Sequence, residues 1–566
     1  MQETTPANRT DGPTDWPRVN WRAANRRVRN LRHRIFRATQ AGDRDKVQSL
    51  QRLMLRSYAN TLLSVRRVTQ VNQGRKTAGV DKLVIKTPAA RGRLVDHLTT
   101  YQPWKAQPAK RVYIPKAKGT LRPLGIPTVM DRCLQARVKN ALEPSWEARF
   151  EGSSYGFRPG RSCHDAISKI ADLANARTRK HWVADADIKG CFDNVSHEHI
   201  LAAIGSFPAR ELIKQWLKAG YVDHGVLHDT PTGTGQGAVL SPLLTNAALH
   251  GMEAALGVKR NAKGAIISSR AVVRYADDFA VFCESRKEAE ETIDLLKGGL
   301  AERGLVLSPE KTRIVHVTEG CDFLGFTIRL CKRPRTRTGY RLLVTPSKTA
   351  EQAIRNRLRE EWSRLRSQPV AVVLARLNPL IRGWATYFRR SRSYPTFRRL
   401  DWWMHRRQRR WAERRHPRRS PGWRTRRYRG KLKPGSQDRW VFGDKHSGAY
   451  LLQFAWFTLV KHTLVRGTAS PDDPQLRDYW AARRAAHAVL LTPSRRKLAK
   501  EQGYVCPVCG DSLFNDEELH DHHIEPRAQG GSDERANRDL VHLYCHQQIH
   551  APAHEPTRRW LRQWLA

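Results

Sequence analysis

Asp277 and Asp278 are adjacent carboxylates inside an otherwise apolar stretch that runs from Ala271 to Cys283. Val272 and Val273 before them, and Phe279 to Phe282 after them, read as two strands. The pair is therefore expected at the tip of a hairpin in a buried sheet. Carboxylates so placed are costly unless something positive faces them. A divalent cation meets that need, and a set of oxygen-only donors favours Mg²⁺; a solvated aspartate turn is the plain alternative. A site of this kind also needs a carboxylate from a second strand. The alternation in Trp182-Val183-Ala184-Asp185-Ala186-Asp187 turns Asp185 and Asp187 to one face and supplies it.

A second constellation lies near the C-terminus. Cys506 and Cys509 form one ligand pair and His542 and Cys545 another, with 32 residues between the pairs. Two such pairs fit a structural Zn²⁺ site. The other six cysteines are scattered singly through the first 331 residues, as reduced thiols are. Between the pairs stand His522, His523 and Asn537. Beyond them come His546 and His550, spaced i, i+4 and so on one helical face. An imidazole can activate water, and a metal can steady a phosphate and its leaving oxygen. A zinc module with spare histidines is the other reading.

The elements that must hold these groups belong to a large basic chain. Its 566 residues suggest roughly three to five domains. Lys and Arg number 102 against 53 Asp and Glu, a formal charge of +49. Such an excess repels itself without a polyanionic partner. No apolar run reaches the length of a bilayer span, so nucleic acid is expected and a membrane is not. Residues 1–18 read as a disordered tail, without the apolar core of a secretion signal, and a cytoplasmic protein is expected. Residues 19–72 carry helical periodicity with a basic face of Arg22, Arg26, Arg27, Arg29, Arg32 and Arg34 that can hold phosphates. From 382 to 433 there are 20 Lys or Arg against two acids. Trp384, Trp402, Trp403, Trp411 and Trp423 are interleaved there, suited either to stacking on RNA bases or to packing a helical core.

After Asp187, the run Ile188-Lys189-Gly190-Cys191-Phe192-Asp193 completes a pattern that resembles reverse transcriptases, in particular the reverse transcriptase/maturases encoded within bacterial group II introns. The resemblance implies that Asp187, Asp277 and Asp278 form a catalytic triad holding Mg²⁺. It implies that Lys116 and Arg122, in a hairpin of the fingers, contact the incoming triphosphate. Phe192 would lie under the sugar and leave no room for a 2′-hydroxyl; a core phenylalanine remains the alternative. Gln236 would sit beside the nucleotide, although Gly235 stands where the family usually has proline. Lys311 would neutralise or protonate the pyrophosphate, and Phe323-Leu324-Gly325-Phe326 would grip the primer. The Ser153–Ser162 stretch reads as a template or primer contact, its aromatic rings and arginines able to meet bases. Leu377 to Phe388 resembles the family's thumb, or maturase, region.

The C-terminal constellation resembles an HNH endonuclease. On that resemblance His523 is the general base. His522, His546 and His550 hold the catalytic metal, again Mg²⁺, Asn537 braces the loop, and Cys506, Cys509, His542 and Cys545 hold the structural Zn²⁺.

The expected fold is α+β and multidomain. It comprises a right-hand polymerase with fingers and palm, a helical thumb/maturase domain, a DNA-binding segment and a small ββα-metal HNH domain. The boundaries expected are an N-terminal extension over 19–95, fingers and palm over 96–345, thumb/maturase over 346–440, DNA-binding over 441–498 and HNH over 499–566. The function implied is a mobile-element protein that binds group II intron RNA to assist splicing. It nicks double-stranded target DNA and copies the RNA from the new 3′-hydroxyl with dNTPs, as a ribonucleoprotein in the bacterial cytoplasm, nucleoid-associated when on DNA. Two other readings stand beside it. One is an RNA chaperone without catalysis, against which intact Asp187, Asp277, Asp278 and His523 argue. The other is a polymerase serving defence or repair.

Overall fold

The computed structural model describes residues 12–100, 103–115, 121–262, 264–515 and 517–551. The chain opens with helices α1 (Trp21–Gln40), α2 (Arg44–Arg56), α3 (Tyr58–Arg66) and α4 (Pro88–Thr99), followed by α5 (Val129–Glu147). Each of the first three starts where the sequence offers a cap. The side chains of Asn20, Asp43 and Ser57 accept from the backbone N–H three residues on, which satisfies a donor the helix itself cannot. Trp21, Ala24, Val28 and Ile35 of α1 face inward at helical spacing, and α1, α2 and α3 all pack on α5.

Two sequence expectations need correction here. Residues 12–18 do not form a disordered tail. Trp16 is buried and packs edge-on against Trp21, with ring centroids 4.9 Å apart, and the Thr14 hydroxyl donates to Asp96 at 2.6 Å. One apolar anchor in a polar stretch orders it, and composition averages such an anchor away. The basic face of α1 is also smaller than the sequence suggests. Arg26, Arg27, Arg29 and Arg34 are exposed, but Arg32 turns inward to pair with Asp472 and Glu143, at 2.7 and 2.9 Å.

The strands that matter for the site are β1 (Ala109–Pro115), β2 (Leu121–Ile126), β3 (Trp182–Asp187), β4 (Tyr221–Asp223), β5 (Val226–His228), β6 (Ala271–Tyr275), β7 (Asp278–Cys283) and β8 (Arg313–His316). One sheet runs β2-β1-β4-β5 and a second runs β6-β7-β3-β8. The second is antiparallel throughout. Its two faces belong to two different cores. Val183, Val273, Ala280 and Phe282 join one core, which holds the helices Lys348–Arg364, Val370–Phe388 and Tyr394–Arg415. Ala184, Ala186, Val272, Phe279 and Val281 join the other, which holds α1 to α5. Alternation with period two makes this division, and covering on both faces is why the strands read as near-continuous apolar runs.

The tryptophans of the basic region divide between the two roles left open by sequence. Trp411 is core, and its indole N–H donates to the Leu365 carbonyl at 2.8 Å. Trp384, Trp403 and Trp423 are half-buried, and Trp402 is 63% exposed. The segment after residue 440 is largely irregular. It is fastened to the rest by Asp165, which accepts from His462 and from the backbone of Val465, at 2.9 and 2.8 Å. The C-terminal unit pairs Leu519–His523 with Arg538–His542 and follows them with the helix Leu543–Ile549, a ββα arrangement. Among the described residues no helix is long and apolar enough to cross a membrane.

Candidate functional site

The palm carboxylates are positioned by register. Asp187, the last residue of β3, lies directly opposite Asp278, the first of β7. Tyr275 pairs with Asp278 across the β6–β7 hairpin, so Ala276 and Asp277 form its two-residue tip, with Ala276 left-handed at φ 59°. Directly opposed residues carry their Cβ atoms about 4.5–5.5 Å apart, within reach of a shared ion. Asp185 shares the face but stands opposite Ala280, two residues from the tip, and bonds Arg313 at 3.0 Å; Asp187, opposite Asp278, is the member that can join the hairpin.

The hairpin is held from behind. The Tyr155 N–H donates to the Arg274 carbonyl and the Arg274 N–H to the Ser153 carbonyl, at 2.9 and 3.0 Å. The buried Arg274 guanidinium donates to Asn246 Oδ1 and to the Ala276 carbonyl, at 3.0 and 3.3 Å. Asn246 in turn donates to the Gly156 carbonyl at 2.8 Å. Gly156 packs so closely that a Cβ there would stand 2.3 Å from the Ala276 nitrogen. No flexible side chain can yield at that contact, because the neighbour is backbone. Gly156→Ala is expected to displace the aspartate tip and lower nucleotide incorporation roughly 100-fold, with RNA retention on filters unchanged. Equal incorporation by parent and variant would count against the tip as the reacting site.

The charge balance suits a cation. Asp278 is solvent-accessible, yet its pKa is pushed up to about 6 by desolvation within the walls of the cleft, then by Asp277, Asp187 and Asp185. Asp277 is raised as well, by burial first and by Asp187, with Arg122 and Lys311 opposing. The side chain of Lys311 reaches Asp187 Oδ2 at 2.6 Å. Among the described residues, two clusters draw three or more ligand atoms within 4.8 Å of one another, and both lie in the C-terminal unit. The palm triad does not meet that measure, and Asp187 is bonded to Lys311. Its donor set of carboxylate oxygens and its surplus negative charge nonetheless fit Mg²⁺.

Around the triad, Arg122 is exposed on β2 and near enough to lower the pKa of Asp277. Lys116 lies outside the described residues. The Gln236 side-chain amide donates to Asp193 Oδ2 at 3.0 Å, and the Gln236 backbone carbonyl accepts from the Gly125 N–H at 2.6 Å, so the glycine loop is moored to β2. Phe192 is half-buried, not a core residue. Its ring meets Phe157 edge-on at 6.3 Å. Phe157 is 53% exposed with φ +59°, and only its neighbours in the motif signalled it. Within the Ser153–Ser162 stretch, Tyr155 and Arg158 serve the scaffold rather than offering themselves to bases. Tyr155 is buried, and Arg158 forms a buried pair with Glu147 at 2.9 Å. Phe323 and Phe326 are likewise core residues, and the tip between them is held by the Tyr387 hydroxyl, which donates to the Leu324 carbonyl at 2.9 Å.

In the C-terminal unit, Cys506, Cys509, His542 and Cys545 are all buried and converge. His542 Nε2 bonds the Ser512 carbonyl at 3.0 Å, which leaves Nδ1 facing Cys509 Sγ at 3.3 Å. Three sulfurs and one oriented imidazole nitrogen make a donor set for tetrahedral Zn²⁺. His522, His546 and His550 converge in a second cluster. The pKa of His522 is lowered to about 4 by burial and by His550 and His546, so its ring is neutral and able to ligate at neutral pH. His522 Nδ1 is buried with no hydrogen-bond partner among the described residues, as a metal ligand's nitrogen would be.

His523 alternates to the other face of the strand, and its Nε2 meets Asp533 Oδ1 at 2.8 Å. Asp533 was not singled out by sequence; it follows Gly-Gly-Ser and precedes Glu534 in a polar loop, with no spacing signal of its own. Asn537 accepts from the Glu525 N–H and donates to the Glu525 and Ser532 carbonyls, at 2.7, 3.0 and 2.8 Å. It thus ties together the two ends of the loop that carries Asp533.

Four family models match the chain. They are reverse transcriptase (RNA-dependent DNA polymerase) over 114–328, N-terminal domain of reverse transcriptase over 16–98, group II intron maturase-specific domain over 351–429 and HNH endonuclease over 506–551. Protein YkfC of Escherichia coli K12 is 33% identical over 344 residues, which cover 53% of this chain and 87% of that protein. Group II intron-encoded protein LtrA of Lactococcus lactis is 34% identical over 41% of this chain and 48% of its own length. A 91 kDa protein in the cob intron of Schizosaccharomyces pombe is 28% identical over 50% of this chain and 43% of that one. The chain thus spans about half the length of these intron-encoded relatives.

Proposed function

Because this chain belongs to the group II intron-encoded family that joins a reverse transcriptase, a maturase domain and an HNH endonuclease, we propose that it binds its intron RNA, nicks duplex DNA and extends the nick by copying that RNA. The observation that carries the reading is the pairing of two centres in one basic chain, an aspartate triad set by strand register and a histidine cluster set by a ββα turn. A polymerase needs a 3′-hydroxyl and a DNA endonuclease makes one. All three ligand sets call for metal ions: Mg²⁺ at the aspartates, Zn²⁺ at the cysteines, and a divalent ion at the three histidines, whose nitrogen donors suit a transition metal better than the Mg²⁺ the resemblance implies. The extension proposed over 19–95 would take in Thr14 and Trp16 as well, with fingers and palm over 96–345, thumb over 346–440, a DNA-binding segment over 441–498 and the nuclease beyond. The setting proposed is the bacterial cytoplasm, at the nucleoid when DNA is bound.

In the polymerase site Asp187, Asp277 and Asp278 would hold Mg²⁺, which when bound supplies charge neutralisation at the triphosphate and activation of the 3′-hydroxyl. Arg122, together with Lys116, binds the triphosphate of the dNTP as fixed positive charge. Phe192 and Phe157 form an aromatic ledge at which an extra 2′-oxygen has no room. Gln236 holds its loop against the nucleotide. Lys311 moves from Asp187 to the departing pyrophosphate. In the nuclease site His523 takes the proton from water, and Asp533 holds the ring in place. RNA is bound by the exposed cations of the thumb surface, with Trp402 and its neighbour Arg406, 4.9 Å from the ring, offering a stacking face.

The test is primer extension on an RNA template with Mg²⁺, once with a supplied primer and once with only an unnicked DNA duplex containing the intron's insertion sequence. Products covalently joined to the duplex are expected. Extension of the supplied primer without joined product would remove the nick-and-prime step. A pH dependence follows from Asp278. Its carboxyl holds a proton up to about pH 6, and proton and metal compete for the same oxygens. The Mg²⁺ concentration for half-maximal synthesis is therefore expected to climb about tenfold between pH 6 and pH 5 and to level off above pH 7. A flat Mg²⁺ requirement across that range would contradict the raised carboxyl.

A further inference from the structure

Arg66 ends α3, and its side chain is only 6% exposed, in the seam between the N-terminal helices and the nuclease unit. Its Nη2 donates to Cys545 Sγ at 3.2 Å and lies 3.4 Å from Glu517 Oε2. Its guanidinium carbon sits 4.7 Å from the centre of the Trp21 ring. Among the described residues, the anionic partners of this cation, Glu517 and Cys545, come from the nuclease unit. On its own side it faces the Trp21 indole, and a buried cation that loses its anionic partners is strongly destabilising.

The nuclease side has the matching surplus. A Zn²⁺ held by three thiolates and one neutral imidazole carries one net negative charge, and ligand sulfurs are tuned by outer hydrogen bonds. Arg66 supplies both the bond and the balancing charge. The seam around it joins apolar packing to specific hydrogen bonds. Trp16, Trp21 and Ala24 share one core with Cys506, Cys509 and Cys545. Asn25 donates to the Cys509 carbonyl at 3.0 Å. Gln548 donates to the Pro17 and Val19 carbonyls, at 2.8 and 3.0 Å. Gly510 lies against Arg22 with no room for a relaxed Cβ, which would stand 3.1 Å from Arg22 Cγ.

We propose that Arg66 is a positioning residue of the nuclease zinc centre, so that the reverse transcriptase's N-terminal layer completes the metal site and the metal site in turn staples that layer in place. This inference rests on the zinc reading of Cys506, Cys509, His542 and Cys545. The full-length protein, treated with the chromogenic chelator 4-(2-pyridylazo)resorcinol, separates the two. A parent that yields no tightly held zinc overturns both. With zinc present, Arg66→Met is expected to release it about 10–100-fold faster than the parent, and Arg66→Lys to fall between. Release at the parental rate from Arg66→Met overturns the proposal. If Arg66→Met does not fold, the parent carries the test. Removing its zinc should raise amide hydrogen exchange in Tyr58–Arg66 and leave Tyr394–Arg415 unchanged. Unchanged exchange in Tyr58–Arg66 overturns the proposal equally.

Discussion

Asp277→Ala is expected to abolish RNA-templated DNA synthesis while the protein still binds RNA and still nicks DNA. The carboxylate stands at the hairpin tip beside Asp278, on the strand paired with Asp187. Losing one ligand from a metal clamp forfeits several kcal/mol of charge stabilisation in the transition state, and each 1.36 kcal/mol is a factor of ten. A fall on the order of 10³-fold or more in incorporation follows. Stability should move the other way. Asp277 and Asp187 raise the pKa of Asp278 by like-charge repulsion, so the folded protein bears that repulsion for the sake of the site, and removing Asp277 relieves it. The variant should therefore melt no earlier than the parent. Primer extension, nicking of labelled duplex and a thermal melt on one preparation decide the matter. Synthesis within a factor of a few of the parent would end the assignment of this tip as the reacting centre.

The parts of this architecture that the sequence announced are the parts made by period. Asp185 and Asp187 two apart on a strand, His546 and His550 four apart on a helix, and Cys506 and Cys509 two thiolates of one knuckle all follow from backbone geometry. The structure places each of them so. What stayed hidden depends on contacts between distant segments. Arg32 looked like one more arginine of a phosphate-binding face, and only the arrival of Asp472, 440 residues later, turns it inward. Arg158 and Tyr155 sat in a motif rich in glycine, rings and cations, which suits bases as well as it suits a scaffold. Burial decides between the two, and burial is a property of the whole fold. Trp16 escaped because a single large ring outweighs a dozen polar neighbours in packing, although it does not in composition. The choice of Asp187 over Asp185 came from a resemblance. Its local physical reason, the register that sets Asp187 opposite Asp278 and Asp185 opposite Ala280, could not be read before the strands were paired.

The nuclease offers the complementary experiment. His523→Ala is expected to stop nicking and to leave extension of a supplied primer intact. A positioned general base contributes about 10²–10⁴-fold, and no second imidazole occupies the outer face of this strand, since His522 turns inward to His546 and His550. Asp533→Ala separates holding the ring from the proton transfer itself. Asp533 bonds His523 at 2.8 Å and also receives Arg527, so its loss frees the ring without removing the base. Nicking should then fall by less than in His523→Ala, because the base is still present. A fall as large as in His523→Ala would place Asp533 in some other role. If His523→Ala nicks duplex DNA at the parental rate, the water is activated elsewhere, and the histidine cluster reverts to a purely structural reading.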